Sequence, residues 1–203
     1  GLREALCTLG NGYFATRGAA PQSRADSVHY PGTYLAGGYN RRATEISGRT
    51  VENEDLVNLP NWLCLTFRFE QGDWFSIEDV KILSYRQELD LYQGMLTRTV
   101  LFEESHDRRA KLQERRLVHM GEPHLAALEL RISPENWSGT LEIRTALDGR
   151  VKNEGVERYQ GLNNDHLVPL TAEAVDEDTI FLKVETNQSE LRVAQAARTR
   201  AYQ

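Results

Sequence analysis

The stretch Trp62-Leu63-Cys64-Leu65-Thr66-Phe67-Arg68-Phe69-Glu70-Gln71-Gly72-Asp73-Trp74-Phe75-Ser76-Ile77 decides the fold class. Leu63, Leu65, Phe67 and Phe69 alternate with Cys64, Thr66 and Arg68. Successive side chains of a strand point to opposite faces, so this period makes one apolar and one polar face. Leu63 and Phe67 fall on the apolar, core-facing side. Glu70 to Asp73 is rich in turn formers, and Trp74-Phe75-Ser76-Ile77 reads as the returning strand of a hairpin. Trp62 and Trp74 are read as core residues.

The same period recurs further along the chain. Leu128, Leu130 and Ile132 alternate with Glu129 and Arg131. Leu141, Ile143, Thr145 and Leu147 alternate with Glu142 and Arg144. Ile180, Leu182 and Val184 alternate with Phe181, Lys183 and Glu185. Each run fits a half-buried antiparallel strand. Turn clusters separate them, at Pro134 to Gly139, Asp148-Gly149, Asn163 to Asp165 and Asp176 to Asp178. Helical signals are thin. Arg108 to Met120 fits either an amphipathic helix or a strand with Ala110, Leu112 and Val118 on one face. Its neighbours favour the strand. Glu190 to Ala201 admits both readings. The pattern predicts an all-β fold with little helix: a single domain over residues 1–203, made of two packed antiparallel sheets.

The first sixty residues differ in texture. Gly10-Asn11-Gly12, Arg17-Gly18, Pro31-Gly32 and Gly37-Gly38 alternate with Tyr13, Phe14, Tyr30, Tyr34 and Tyr39. Such a mixture predicts shaped loops with short strands. Exposed aromatic loops usually mark interaction surfaces. Asn11, Tyr13, Phe14, Arg17, Tyr34 and Tyr39 are therefore the candidate binding or docking residues, with Gly10–Gly18 and Tyr30–Tyr39 at one end of the sandwich. Arg17 is expected either to pair with a buried acid such as Asp90 or to reach across to a docked partner.

Composition narrows the function classes. The 203 residues carry a formal net charge of -6, which works against nucleic acid or anionic lipid as partners. No apolar run approaches a membrane span. Cys7 and Cys64 are too few for a disulfide framework, and Cys64 sits in an apolar run as a buried free thiol. This usage suits the cytoplasm. The Asn136 and Asn187 sequons are read as accidental. The chain opens on Gly1-Leu2-Arg3-Glu4-Ala5, and the expectation is of a segment trimmed from a longer polypeptide.

No catalytic set can be assembled by spacing. Glu78-Asp79 and Glu103-Glu104 are adjacent, so on a strand they face opposite ways and are read as solvated surface. Asp90, between Leu89 and Leu91, is read as a buried acceptor. Gly10 to Ala15 fits the loose dinucleotide-binding pattern but lacks the preceding strand and following helix. His119, Glu122 and His124 are interrupted by Gly121 and Pro123 and lack a third ligand position, so a turn is preferred to a metal site. Trp137 either stacks on sugar or anchors its turn. No cofactor and no metal are expected.

Five segments together resemble glycoside hydrolase family 65, the maltose, trehalose and kojibiose phosphorylases and related hydrolases. They are Leu9 to Gly18 (LGNGYFATRG), Tyr30 to Tyr39 (YPGTYLAGGY), Val57 to Trp62 (VNLPNW), Leu89 to Arg98 (LDLYQGMLTR) and Leu147 to Asn153 (LDGRVKN). They occur in the family's order over most of the chain and resemble its N-terminal domain. The resemblance implies a large antiparallel β-sandwich, a super-sandwich of galactose mutarotase-like kind. It also implies a helical linker to a catalytic (α/α)6 barrel and a homodimeric parent. In the family the catalytic acid and phosphate-binding residues lie on that barrel, beyond this chain. The expected role is thus an accessory domain without catalytic residues. It would pack on the barrel of an α-glucosyl disaccharide phosphorylase or hydrolase, with inorganic phosphate as co-substrate if the parent is a phosphorylase. The alternatives are an independent carbohydrate-binding module and a mutarotase-like enzyme, since fold alone does not fix function.

Overall fold

Phe67 and Phe69 lie on one face of a strand and need cover, and the fold is organised by how that cover is supplied. A computed structural model describes residues 1–104, 107–154 and 161–203. Strand runs through almost every element, and among the described residues α-helix is confined to α1 (Leu2–Leu6). The segment Leu65–Phe69 is β6. Its partner is β11 (Leu141–Thr145), with Phe67 opposite Ile143. Across from this pair lies a four-stranded sheet of β7 (Lys81–Asp90), β8 (Met95–Glu103), β9 (Arg109–Val118) and β10 (Ala126–Pro134), in the order β10-β9-β8-β7. Phe67, Phe69, Val100, Phe102, Ala110 and Leu112 close the space between them as one buried cluster. This is two-layer sandwich packing: each sheet hides its apolar face against the other.

A second core forms under the sheet β12 (Leu167–Ala174), β13 (Thr179–Thr186) and β14 (Arg192–Arg198). Leu182 and Val184 of β13 meet Val57 and Leu59 there. Three short strands, β1 (Leu9–Gly10), β2 (Phe14–Thr16) and β3 (Thr33–Leu35), form a small sheet. Leu9 and Phe14 join Leu96 and Val118 in a third cluster. A ribbon of β4 (Tyr39–Ile46) and β5 (Arg49–Leu56) completes the set. Its turn places Ser47 at φ 51° and Gly48 at φ 75°, the left-handed pair that a two-residue hairpin turn demands. All these strand pairings are antiparallel. The all-β sandwich expected from the alternation is the fold observed. Among the described residues, no helix is long and apolar enough to cross a membrane.

Several expectations are corrected. Trp74 to Ile77 is not a returning strand. Phe75 N donates one bond to Phe67 O (2.8 Å), while the Phe75 ring stacks on Phe67 at 4.6 Å. The Phe75 ring thus caps the apolar face of β6, and the strand pairing of β6 is with β11. Trp62 and Trp74 are half-buried, not core. Trp74 lies instead under two guanidinium groups, Arg68 at 4.8 Å and Arg144 at 4.0 Å, an arrangement that its ring quadrupole favours. Trp137 anchors its turn: it meets Phe69 edge-on at 4.5 Å, and Nε1 donates to Arg109 O at 3.0 Å. Ile143, expected inside, is exposed on the edge strand β11.

The two ambiguous segments are both strands, β9 and β14. Along β9 the buried face reads Ala110, Leu112, Glu114, Arg116, Val118. Two charged residues in the middle of a core face are what blurred the period. Glu103 is not solvated surface either: it is buried between Lys81 at 3.0 Å and Arg109 at 2.8 Å. Those donors, Arg109 first, hold its carboxyl below the usual carboxylate range. Cys64 is a half-buried free thiol, pushed up to about 11 by burial and by the neighbouring Asp148. A thiol held protonated in this way is a poor nucleophile.

Candidate functional site

Hairpin geometry gathers several turns at one end of the molecule. β8 lies beside β9, with Met95 opposite Leu117. The β7–β8 turn (residues 91–94) and the β9–β10 turn (residues 119–125) therefore emerge side by side. Asn11 ties the β1–β2 turn to them. Its Oδ1 accepts from Tyr13 N (3.0 Å) and Phe14 N (3.1 Å), closing its own turn. Its Nδ2 donates to His119 O (2.8 Å) and Pro123 O (3.0 Å). Tyr13 O accepts from Ala36 N (2.9 Å), which brings in the loop after β3. The Tyr13 ring meets His124 edge-on at 4.3 Å.

This end is unusually apolar for a surface. Asp90 Oδ1 accepts from Tyr92 N and Gln93 N, both at 2.9 Å, and Gly94 takes φ 62°. The tight turn so made leaves Leu91 85% and Tyr92 99% exposed. Met120, Leu125, Tyr13 and Tyr39 are exposed as well. Beside them lies a shallow groove of about 240 Å³ lined by Tyr13, Phe14, Tyr34, Ala36, Tyr39 and Leu56, among others. Burial, and to a lesser degree the adjacent Tyr30, holds the Tyr34 phenol far above its ordinary value, so it stays neutral.

Of the six candidate residues, Tyr13, Phe14, Tyr34 and Tyr39 line this groove, and Asn11 builds its rim. Arg17 lies elsewhere. Its Nε donates to Tyr30 O (2.9 Å), its Nη2 to Gly1 O (3.1 Å), and its guanidinium sits 5.3 Å from the Tyr30 ring centre. It does not pair with Asp90, whose carboxylate is taken by its own turn; the buried acid it meets is Glu4, with Nη2 3.9 Å from Oε2. The four turns meeting here were not legible as a unit. The signal available was Leu91-Tyr92-Gln93-Gly94, a turn carrying two large apolar side chains where polar ones are usual. His119 and His124 belong to this end as structural residues: His119 Nδ1 accepts from Glu122 N (2.8 Å) and Gly121 N (3.1 Å).

A buried polar cluster fixes the ribbon next to the groove. Asn40 Nδ2 donates to His166 Nδ1 (3.0 Å) and Asn187 Oδ1 (2.9 Å), and Asn40 Oδ1 accepts from Ser189 N (2.8 Å). His166 Nε2 lies 3.3 Å from Asp55 Oδ2. The second sequon, Asn187, is thus engaged in the network. Burial lowers the His166 pKa, and Asp55 only partly offsets this. A second proton would have to go on Nδ1, facing a donor. Because the folded value lies below the unfolded one, the unfolded state binds protons first as pH falls. The contribution is complete above about 6.5 and is lost as pH drops through the folded value. Denaturant midpoints of the wild type should therefore fall more steeply below about pH 6.5 than those of His166→Gln. Equal slopes would disprove the assignment.

An all-β sandwich with an apolar loop end is the class that the geometry defines, and comparison with known proteins places it in a family. The chain matches the family described as glycosyl hydrolase family 65, N-terminal domain, over residues 1–203, and it belongs to that family. It is 48% identical to an uncharacterized glycosyl hydrolase of Mycobacterium tuberculosis, over 98% of this chain and 15% of that protein. It is 30% identical to a trehalose 6-phosphate phosphorylase of Lactococcus lactis, over 95% of this chain and 24% of the relative. It is 25% identical to a kojibiose phosphorylase of Thermoanaerobacter brockii, over 98% of this chain and 24% of the relative. The chain thus spans less than a quarter of the length of each of these relatives.

Proposed function

We propose that this domain is the accessory N-terminal part of an α-glucosyl disaccharide phosphorylase or hydrolase, of the maltose, trehalose or kojibiose type. Its loop end seats the catalytic barrel of the same polypeptide, and the domain supports a homodimer. The domain itself contributes no catalytic acid. Inorganic phosphate is the co-substrate if the reaction is phosphorolysis. The observation that carries the reading is the shared end itself: Leu91, Tyr92, Met120, Leu125 and Tyr13 are exposed on turns that Asn11 and hairpin pairing lock together, and Tyr39 is exposed at the start of β4 across the groove. A rigid apolar rim around a groove is costly to leave in water and has the composition of an interface core. The relatives named as phosphorylases, each more than four times as long as the matched segment, supply the catalytic part in this reading.

Peroxide oxidation of Met120 in the full-length polypeptide tests it. Met120 is 75% exposed in the domain, and a docked barrel would shield it. Slow oxidation in the wild type that becomes fast in Leu91→Asp/Tyr92→Asp is the expected result. Fast oxidation in both proteins would remove the loop end from the interface.

A further inference from the structure

We propose that Asp26, His29 and Glu78 form a binding site for a divalent transition-metal cation of the zinc type. Their ligand atoms all lie within 4.8 Å of one another. One imidazole and two carboxylates suit such a cation and leave coordination positions for water.

The surroundings prepare these groups. His29 Nδ1 sits 2.9 Å from Glu4 Oε1. Glu4 is buried, and its other oxygen accepts from Tyr30 N at 2.9 Å, so the carboxylate is fixed. With the Nδ1 proton given to Glu4, His29 keeps the Nε2 lone pair for a ligand. A buried carboxylate behind an imidazole is the arrangement that orients metal-bound histidines. Asp26 uses Oδ1 to accept from His29 N (2.6 Å) and Val28 N (2.7 Å), which leaves Oδ2 free. Glu78 arrives from a separate loop, where its N–H is held by Ser76 Oγ at 3.2 Å. Neither Asp26 nor Glu78 takes part in an ion pair among the described residues. Two facing carboxylates without a cation repel each other. A bound cation removes that repulsion and staples the loop before β3 to the loop after β6. The site lies outside the docking end, so its test is independent of the proposed function.

The test uses the full-length polypeptide, with zinc uptake measured by equilibrium dialysis and Co²⁺ followed by its visible absorption. The wild type should take up more zinc than Glu78→Gln by one equivalent and should give a Co²⁺ band that His29→Gln lacks. Glu4→Gln, which leaves all three ligands in place and removes the carboxylate that orients His29 and also faces Arg17, should weaken zinc binding by about 10- to 100-fold. Glu78 is exposed, so Glu78→Gln keeps the fold intact and remains decisive if a histidine variant fails to fold. Equal zinc uptake by the wild type and Glu78→Gln overturns the proposal.

Discussion

Phe67→Ala should lower the unfolding free energy by about 3–5 kcal/mol, the range for removing a fully buried phenyl ring. Phe67 has no exposed surface and touches three other rings, with centroids at 4.6 Å (Phe75), 5.5 Å (Phe69) and 6.4 Å (Phe102). These partners come from β6, β8 and the loop after β6, so none can collapse into the hole without pulling its own element along. Phe75 loses the surface it stacks on, and the loop it holds should loosen with it. Leu63→Ala belongs to the same class, at about 2–5 kcal/mol, because Leu63 is buried beside the Asn61 turn. Ile143→Ala is the control. It sits opposite Phe67 in register but is exposed, so its change should stay within about 0.5 kcal/mol. Urea denaturation of the three variants provides the measurement. Unchanged midpoints for Phe67→Ala would mean that the buried face of β6 has been misassigned.

The contrast between Phe67 and Ile143 shows what alternation tells and what it leaves out. Period two identifies faces, because a half-buried strand must segregate its side chains. It does not say which neighbour covers the face. Trp74 to Ile77 carries strand-like residues directly after a turn, yet β6 pairs with β11, far along the chain. The β4–β5 ribbon is illegible in the sequence for the opposite reason. Its residues are polar on both faces, and only Ser47-Gly48 announces the turn. The candidate site was legible in part. Glycine and aromatic residues pointed to Tyr13, Phe14, Tyr34 and Tyr39, and local turn chemistry is written in sequence. That Asn11 would grip His119 O, 108 residues away, follows from the order of strands in the sheet and from nothing near Asn11. For Arg17 the kind of partner was legible and its identity was not: a buried acid is there, but it is Glu4 of α1 and not Asp90, and the carbonyls of Tyr30 and Gly1 complete its bonds.

Glu114→Gln should destabilise the domain by about 3–5 kcal/mol, the cost of breaking a buried pair from one side. Glu114 is 1% exposed and lies between two guanidinium groups, Arg98 at 2.8 Å and Arg116 at 2.6 Å, themselves 4% and 2% exposed. The cluster already holds two positive charges against one negative. Burial accordingly lowers the Arg116 pKa from its ordinary value, against the pull of Glu114. Removing the negative charge leaves two like charges facing each other in a low-dielectric interior, where repulsion is weakly screened. The amide of Gln keeps the shape, so the loss reports charge and not packing. Arg116 also donates to Ala19 O (2.7 Å) and Arg17 O (3.2 Å), and Arg98 to Gln22 Oε1 (2.6 Å). The network therefore pins residues 17–22, which lead from β2 toward β3, onto the sheet. Replacing all three charged residues with Met removes the repulsion but orphans those carbonyls. The triple variant should thus be more stable than Glu114→Gln while still falling short of the wild type. A triple variant equal to the wild type would show that the cluster contributes nothing to holding residues 17–22. Glu114→Gln with wild-type stability would show that Arg98 and Arg116 are not buried together as charges.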